Sequence, residues 1–222
     1  MEILFLGTSS CEKIPRPGCN CLQCKSKDSR DKRTRSAILI DGKILVDCGP
    51  DIIKQFKIYN VKYKKIENVI ITHTHKDHIG GLGDFQKENP KAKIVYPKDS
   101  EKFEIEGIKF FAFRVPHSRR RETIALLIND VIYCPDIRRI PSNLKSILRK
   151  GKLIIFDGSC WNIDFGYHLA MTKSIPILKT FPAKKIYFTH NGHTHIPHYK
   201  LEIEIQKIGD DRFHLAYDGL KI

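Results

Sequence analysis

The stretch Thr72-His73-Thr74-His75-Lys76-Asp77-His78 decides how this chain reads. It follows the apolar run Val69-Ile70-Ile71, which predicts a buried strand. Side chains alternate in extended backbone, so His73 and His75 point the same way. Asp77 and His78 come where the chain bends through Ile79-Gly80-Gly81-Leu82-Gly83 toward a short helix. They can therefore face the same point from another direction. Imidazole and carboxylate together suit zinc, manganese or iron. A polar, His-rich turn is the plainer alternative, but so dense a set of ligand side chains rarely lacks a metal.

Working outward, residues 2–6 predict a first strand, ended by Gly7-Thr8-Ser9-Ser10. A Pro- and Gly-rich loop follows over 14–24. Residues 36–40 and 43–47 predict a hairpin whose turn is Asp41-Gly42, the pair that two-residue turns favour. Pro50 opens a helix through about residue 59, with Ile52, Ile53 and Phe56 on its inner stripe. Beyond the His-rich stretch, strands are expected at 93–96, 101–105 and 109–115. A hairpin is expected at 123–128 and 131–134, helices at 140–149 and 171–181, and strands at 153–156 and 185–189. Strands fill the first half and strand–helix units the second. The expected fold class is α/β (α+β), an αββα sandwich of two sheets between helices. His117, Asp136 and His190 each stand just past an apolar strand, as His73 does, and residues at the same ends of neighbouring strands can converge.

The 222 residues suffice for one substantial core, so one domain over 1–222 is expected. A hydrophobic content of 41% and a charged content of 29% are those of an ordinary globule. No stretch approaches a membrane span, and the first residues carry no basic leader, so a cytoplasmic location is expected. The net charge of +14, from 39 Lys+Arg against 25 Asp+Glu, would attract phosphate esters or nucleic acid. The lysines are dispersed, however, and such surfaces also occur in heat-adapted proteins.

His73-x-His75-x-Asp77-His78, followed by His117, Asp136 and His190, resembles the metallo-β-lactamase superfamily. The resemblance runs nearly the whole chain and includes Asp47 in Leu45-Val46-Asp47-Cys48-Gly49. It implies a first metal on His73, His75 and His117 and a second on Asp77, His78 and His190, with Asp136 bridging. Asp77 would serve as both ligand and catalytic residue. Lactam-hydrolysing members carry Cys where Asp136 stands, so the implied activity is that of the phosphodiesterases. Two zinc or manganese ions with a bridging hydroxide would supply the nucleophile and stabilise a five-coordinate phosphorus. From the residues alone, His168 is equally a surface histidine at a helix start or a general acid. The resemblance favours the acid, because related phosphodiesterases carry a His at a similar distance before the last metal His.

Cys19-x-Cys21-x-x-Cys24 offers three thiolates, one short of a tetrahedral zinc site, and His193 is the available fourth ligand. A structural zinc there would tie the loop at about 14–25 to the segment carrying His190; free thiols are the alternative. With the Arg33-Thr34-Arg35-Ser36 run, this resembles the branch of phosphoribosyl cyclic phosphodiesterases typified by PhnP. Arg119, Arg120, Arg121 and Arg138 follow His117 and Asp136 and could capture substrate phosphate, or simply be solvated. His195, His198 and His214 are given no role.

The expected function is a binuclear phosphodiesterase for small cyclic or nucleotide-like phosphodiesters, with a homodimer plausible from the resemblance. A ribonuclease Z-like nuclease is the nearest alternative, although no long insertion offers a tRNA-gripping arm. A glyoxalase II-like thioesterase would need an extra helical domain for which there is no room. A non-catalytic metal-binding carrier is the remaining alternative.

Overall fold

The computed structural model describes residues 1–222. Two sheets lie face to face. The first holds five strands in chain order: β1 (Ile3–Gly7), β2 (Ala37–Ile40), β3 (Ile44–Val46), β4 (Asn68–Ile70) and β5 (Lys93–Val95). The second has β6 (Lys102–Ile105), β7 (Ile108–Arg114), β8 (Ile124–Ile128), β9 (Val131–Cys134), β10 (Leu153–Asp157), β11 (Lys185–Thr189) and β12 (Phe213–Leu215). From edge to edge its order is 12-11-10-9-8-7-6.

Period-two alternation explains why both faces of each sheet are buried. In β1, Ile3 and Phe5 turn toward the opposite sheet, while Leu4 and Leu6 turn outward. In β9–β11, Tyr133, Ile155 and Tyr187 join the layer between the sheets, and Ile132, Ile154 and Phe188 face out. Outside the first sheet lie α1 (Ile52–Ile58) and α3 (Leu82–Glu88), which bury Ile52, Phe56, Leu82 and Phe85. Outside the second lie α4 (Ser142–Leu148), α5 (Met171–Leu178) and α6 (His198–Ile208). These contribute Leu144, Leu148, Met171, Ile175, Leu201 and Ile205. This is the αββα sandwich that the sequence predicts.

The predicted hairpin turn forms at Asp41-Gly42, with φ of 47° and 68°, the left-handed pair that such turns require. The predicted helices are each trimmed by a few residues at their ends. The sequence reading missed α6 and β12. Helix α6 begins after Pro197 and shows its core through only a sparse stripe, Leu201 and Ile205. No helix is long and apolar enough to cross a membrane.

Strands β9, β10 and β11 run parallel, and β4 runs parallel to β3. Their C-terminal ends therefore open on shared edges, where loops rather than strand positions carry the polar residues.

Candidate metal centre

The His-rich stretch leaves β4 at Ile70, and the short helix α2 (Lys76–Ile79) begins one residue after His75. Helical backbone turns Asp77 and His78 back across the line of His73 and His75. The backbone at Gly49 makes this close approach possible, since a Cβ there would collide with the carbonyl oxygen of Asp77.

The structure brings the seven predicted metal ligands together in two adjoining groups. His75 Nδ1 lies 2.9 Å from His73 Nε2 and 3.3 Å from His117 Nε2. His190 Nε2 lies 3.2 Å from His78 Nε2 and 3.3 Å from Asp77 Oδ2. Asp136 stands between the groups. Its Oδ1 is 3.5 Å from His117 Nε2 and 3.6 Å from His190 Nε2, and its Oδ2 is 3.2 Å from His78 Nε2.

Each imidazole is oriented by what its outer nitrogen touches. Asp47, fully buried, accepts from His78 Nδ1 at 2.7 Å and from the hydroxyl of Thr72 at 2.9 Å. That hydroxyl has its proton committed to Asp47, so it accepts from His73 Nδ1 at 3.0 Å. His117 Nδ1 donates to the Tyr167 carbonyl oxygen at 3.1 Å. His190 Nδ1 donates to Ser159 Oγ at 2.8 Å, and that hydroxyl donates on to the His190 carbonyl oxygen. Four imidazoles thus present a bare Nε2 lone pair inward. Asp47 and His190 both hold left-handed backbone, with φ of 66° and 55°, a strained state for residues with a Cβ.

Such an arrangement fits a cation. Lone pairs at these separations repel one another unless something positive lies between them. Ligands about 2.1 Å from a tetrahedral ion sit roughly 3.4 Å apart, close to the spacings here. Asp77 and Asp136 have no Lys or Arg partner, only imidazoles. Asp136 Oδ2 is buried without a hydrogen bond. The charges show the same strain. Burial holds His73, His75 and His117 below the usual imidazole range. Burial opposes charge on His78 too, but Asp136 and Asp47 raise its pKa well above that range. Burial also disfavours charge on Asp136, yet His190 and His78 keep its carboxyl far below the usual value.

His168 lies at the rim, its ring 4.9 Å from that of His117 and 5.3 Å from that of His190. Its Nδ1 donates to Asp157 Oδ2 at 2.7 Å. Burial works against its charge, but Asp157 lifts its pKa to about 9. Gly166, at φ 59°, turns the chain so that the His168 amide donates to the Phe165 carbonyl. This turn accommodates the Tyr that separates Gly166 from His168. Asp157 was not singled out in the sequence, although it ends an apolar strand as Asp136 nearly does. It also accepts from the amides of Ile137 and Ser159, both at 2.9 Å. Ser159 was likewise missed.

Cys19, Cys21 and Cys24 gather their sulfurs 3.4, 3.2 and 3.2 Å from His193 Nε2. None of the seven cysteines is paired in a disulfide. The Arg16 amide donates to Cys24 Sγ and the Cys24 amide to Cys21 Sγ. Arg119, Arg121 and Arg138, with Arg114 and Arg139, line a separate cleft of about 650 Å³ that none of the seven grouped residues lines. Of these arginines, Arg121 makes its charge felt at His75. Arg120 is exposed and does not line the cleft. His198 is buried against Arg33 and His214 faces Glu202, both away from the centre.

A solved diphosphatase of the PhnP family superposes on the whole chain and 96% of its own, with a TM-score of 0.86 and 26% identity. This is a metallo-β-lactamase-fold protein. Zinc-bound PqqB from Methylobacterium extorquens also has this fold, with a TM-score of 0.83 at 21% identity over the whole chain and 99% of its own. The model of the beta-lactamase superfamily domain matches residues 88–191 of the metallo-β-lactamase-fold chain, and that of the anti-Pycsar protein Apyc1 matches residues 1–90. An octanoyltransferase of Porphyromonas gingivalis is 24% identical over the whole chain and 51% of its own length. A ribonuclease Z of Agathobacter rectalis is 24% identical over 74% of the chain and 62% of its own. The chain thus spans about half to three-fifths of these curated relatives.

Proposed function

We propose that this protein is a binuclear metal-dependent phosphodiesterase acting on small cyclic or nucleotide-like phosphodiesters. The observation that carries the reading is the buried carboxylate of Asp136 between two sets of inward nitrogens and oxygen. His73, His75 and His117 would hold one divalent ion, Asp77, His78 and His190 a second, and Asp136 would reach both. Two such ions, zinc or manganese, would lower the pKa of water and offset the charge of a five-coordinate phosphorus.

The chain's own residues supply the rest. Asp47 and Thr72 hold the outer nitrogens of His78 and His73, and Ser159 that of His190, so that each Nε2 is aimed inward. His168, kept protonated by Asp157, is placed to give a proton to the departing oxygen. Metal analysis combined with turnover of bis(p-nitrophenyl) phosphate tests the reading. Two ions in the active centre and activity lost on chelation support it; metal-loaded protein that cleaves no phosphodiester refutes it and leaves a carrier role.

The arginine cleft and the charge of +14 favour a second reading, a ribonuclease Z-like nuclease acting on RNA ends. RNA cleavage with a steep salt dependence would select it. In either case Arg121→Ala should raise KM about tenfold, the value of one charge-assisted contact, with a smaller fall in kcat. Arg120→Ala should change KM less, which steady-state kinetics of the pair would check.

The Cys19, Cys21, Cys24 and His193 group would hold a third, structural zinc, closed to substrate. Cys21→Ser should lose one of three ions by elemental analysis and lower Tm by about 10 °C, as a loss of roughly 3 kcal/mol does in a chain of this size. An unchanged ion count would remove the structural zinc.

A further inference from the structure

Beside the metal centre runs a cleft of about 810 Å³, within the range of small-molecule sites and far larger than a phosphate group requires. His168 and Ser159 lie in its lining, so it opens from the chemistry itself. One wall is the segment between β10 and α5, which carries Trp161, Ile163, Phe165 and Tyr167. Ile163 is 72% exposed and Phe165 77%, values unusual for large apolar side chains. Glu12 and Arg16 line the same cleft from another segment, ion-paired at 3.1 Å.

Each segment is hydrogen-bonded to a neighbouring group. The Tyr167 carbonyl is tied to His117, and the amide of Arg16 to Cys24. An apolar, aromatic surface at a set distance from a phosphate centre, in a cleft that also holds hydrogen-bonding groups, suits a flat ring with polar edges. Water gains nothing from Phe165 and Ile163, whereas a planar heterocycle can cover them by stacking.

We infer that this cleft seats a nucleobase or an equivalent heteroaromatic ring, so that the phosphodiester hydrolysed at the centre is one that carries such a ring. The inference rests on the phosphodiesterase reading of the metal centre and narrows its substrate class. Phe165 and Ile163 are the specificity-determining residues. A cyclic ribose phosphate without a base would leave them uncovered and bind less tightly.

Trp161 is the chain's single tryptophan, which provides a readout independent of turnover. Zinc-loaded protein is titrated with AMP and with ribose 5-phosphate, which offers the same phosphate without the base. Affinities come from calorimetry, and Trp161 emission is followed with AMP. AMP should bind about tenfold more tightly than ribose 5-phosphate, the order expected of one stacked base, and should change the emission. The double variant Phe165→Ala/Ile163→Ala, altered only at exposed positions, should bring that ratio toward one. Equal affinities in the unaltered protein, an AMP complex that leaves Trp161 emission untouched, or a ratio unchanged in the variant would overturn the inference. Turnover of bis(p-nitrophenyl) phosphate separates the two readings. Turnover without AMP preference defeats the ring seat alone, and AMP preference without turnover supports the seat while defeating the phosphodiesterase.

Discussion

Asp136→Asn should lower kcat toward phosphodiesters by about a thousandfold, the order lost when a preorganised charge at a reaction centre is removed. The substitution keeps shape and removes charge at a carboxylate that reaches both ligand groups. The metal content of the active centre should fall below two ions per chain, because an amide offers the cations no negative charge. In the metal-free protein the effect has a definite pH window. His78, with its pKa raised by Asp136 and Asp47, contributes stability fully present below the unfolded value near 6.5 and lost as pH rises through its folded value. Asp136, with its pKa depressed, contributes stability above the unfolded value near 3.9 and loses it as pH falls through the folded one. The gap in Tm between Asp136→Asn and the unaltered protein, both metal-free, should therefore be widest between about pH 4 and 6.5. Two ions retained in the active centre, with kcat within a few-fold, would show that Asp136 does not serve both sites.

The parts of this centre legible in the sequence are those where chemistry and spacing coincide. His73, His75, Asp77 and His78 are contiguous, so strand and helix periodicity alone allows them to meet. His117, Asp136 and His190 were readable from one regularity, a polar ligand directly after an apolar strand. Asp157 obeys the same regularity and escaped, because strand-end position does not say toward which neighbour a carboxylate turns. Nor could the sequence say that Asp47 serves His78 directly and His73 through Thr72. That connection depends on β3 lying beside β4 in parallel register. The run Arg119-Arg120-Arg121 reads as one cluster, but a loop sends consecutive side chains different ways, and only its first and last members line the basic cleft. The wall of Trp161, Ile163, Phe165 and Tyr167 was equally invisible. Apolar residues in a loop read as packing, and only their exposure beside His168 gives them another meaning.

Asp157→Asn should lower kcat about a hundredfold with little change in KM or in the metal content of the centre, the value of a well-placed general acid. Asp157 touches none of the seven grouped side chains, but holds His168 at 2.7 Å and supplies the charge that keeps its proton. In the metal-free protein His168 remains charged up to about pH 9, although its burial alone would push the pKa down. Asparagine can still hydrogen-bond to the ring, but it no longer pays the imidazolium for its burial. The basic limb of the kcat profile should therefore move to lower pH in Asp157→Asn. Bound cations lower the absolute position of that limb in both proteins, so the difference between them is the measurement. A substrate with a leaving group that needs no proton, such as p-nitrophenolate, should be much less affected than an alkyl ester. Equal losses on both substrates, with an unmoved pH limb, would mean that Asp157 acts only by holding the Ile137 and Ser159 backbone. His168 would then have no part in proton transfer.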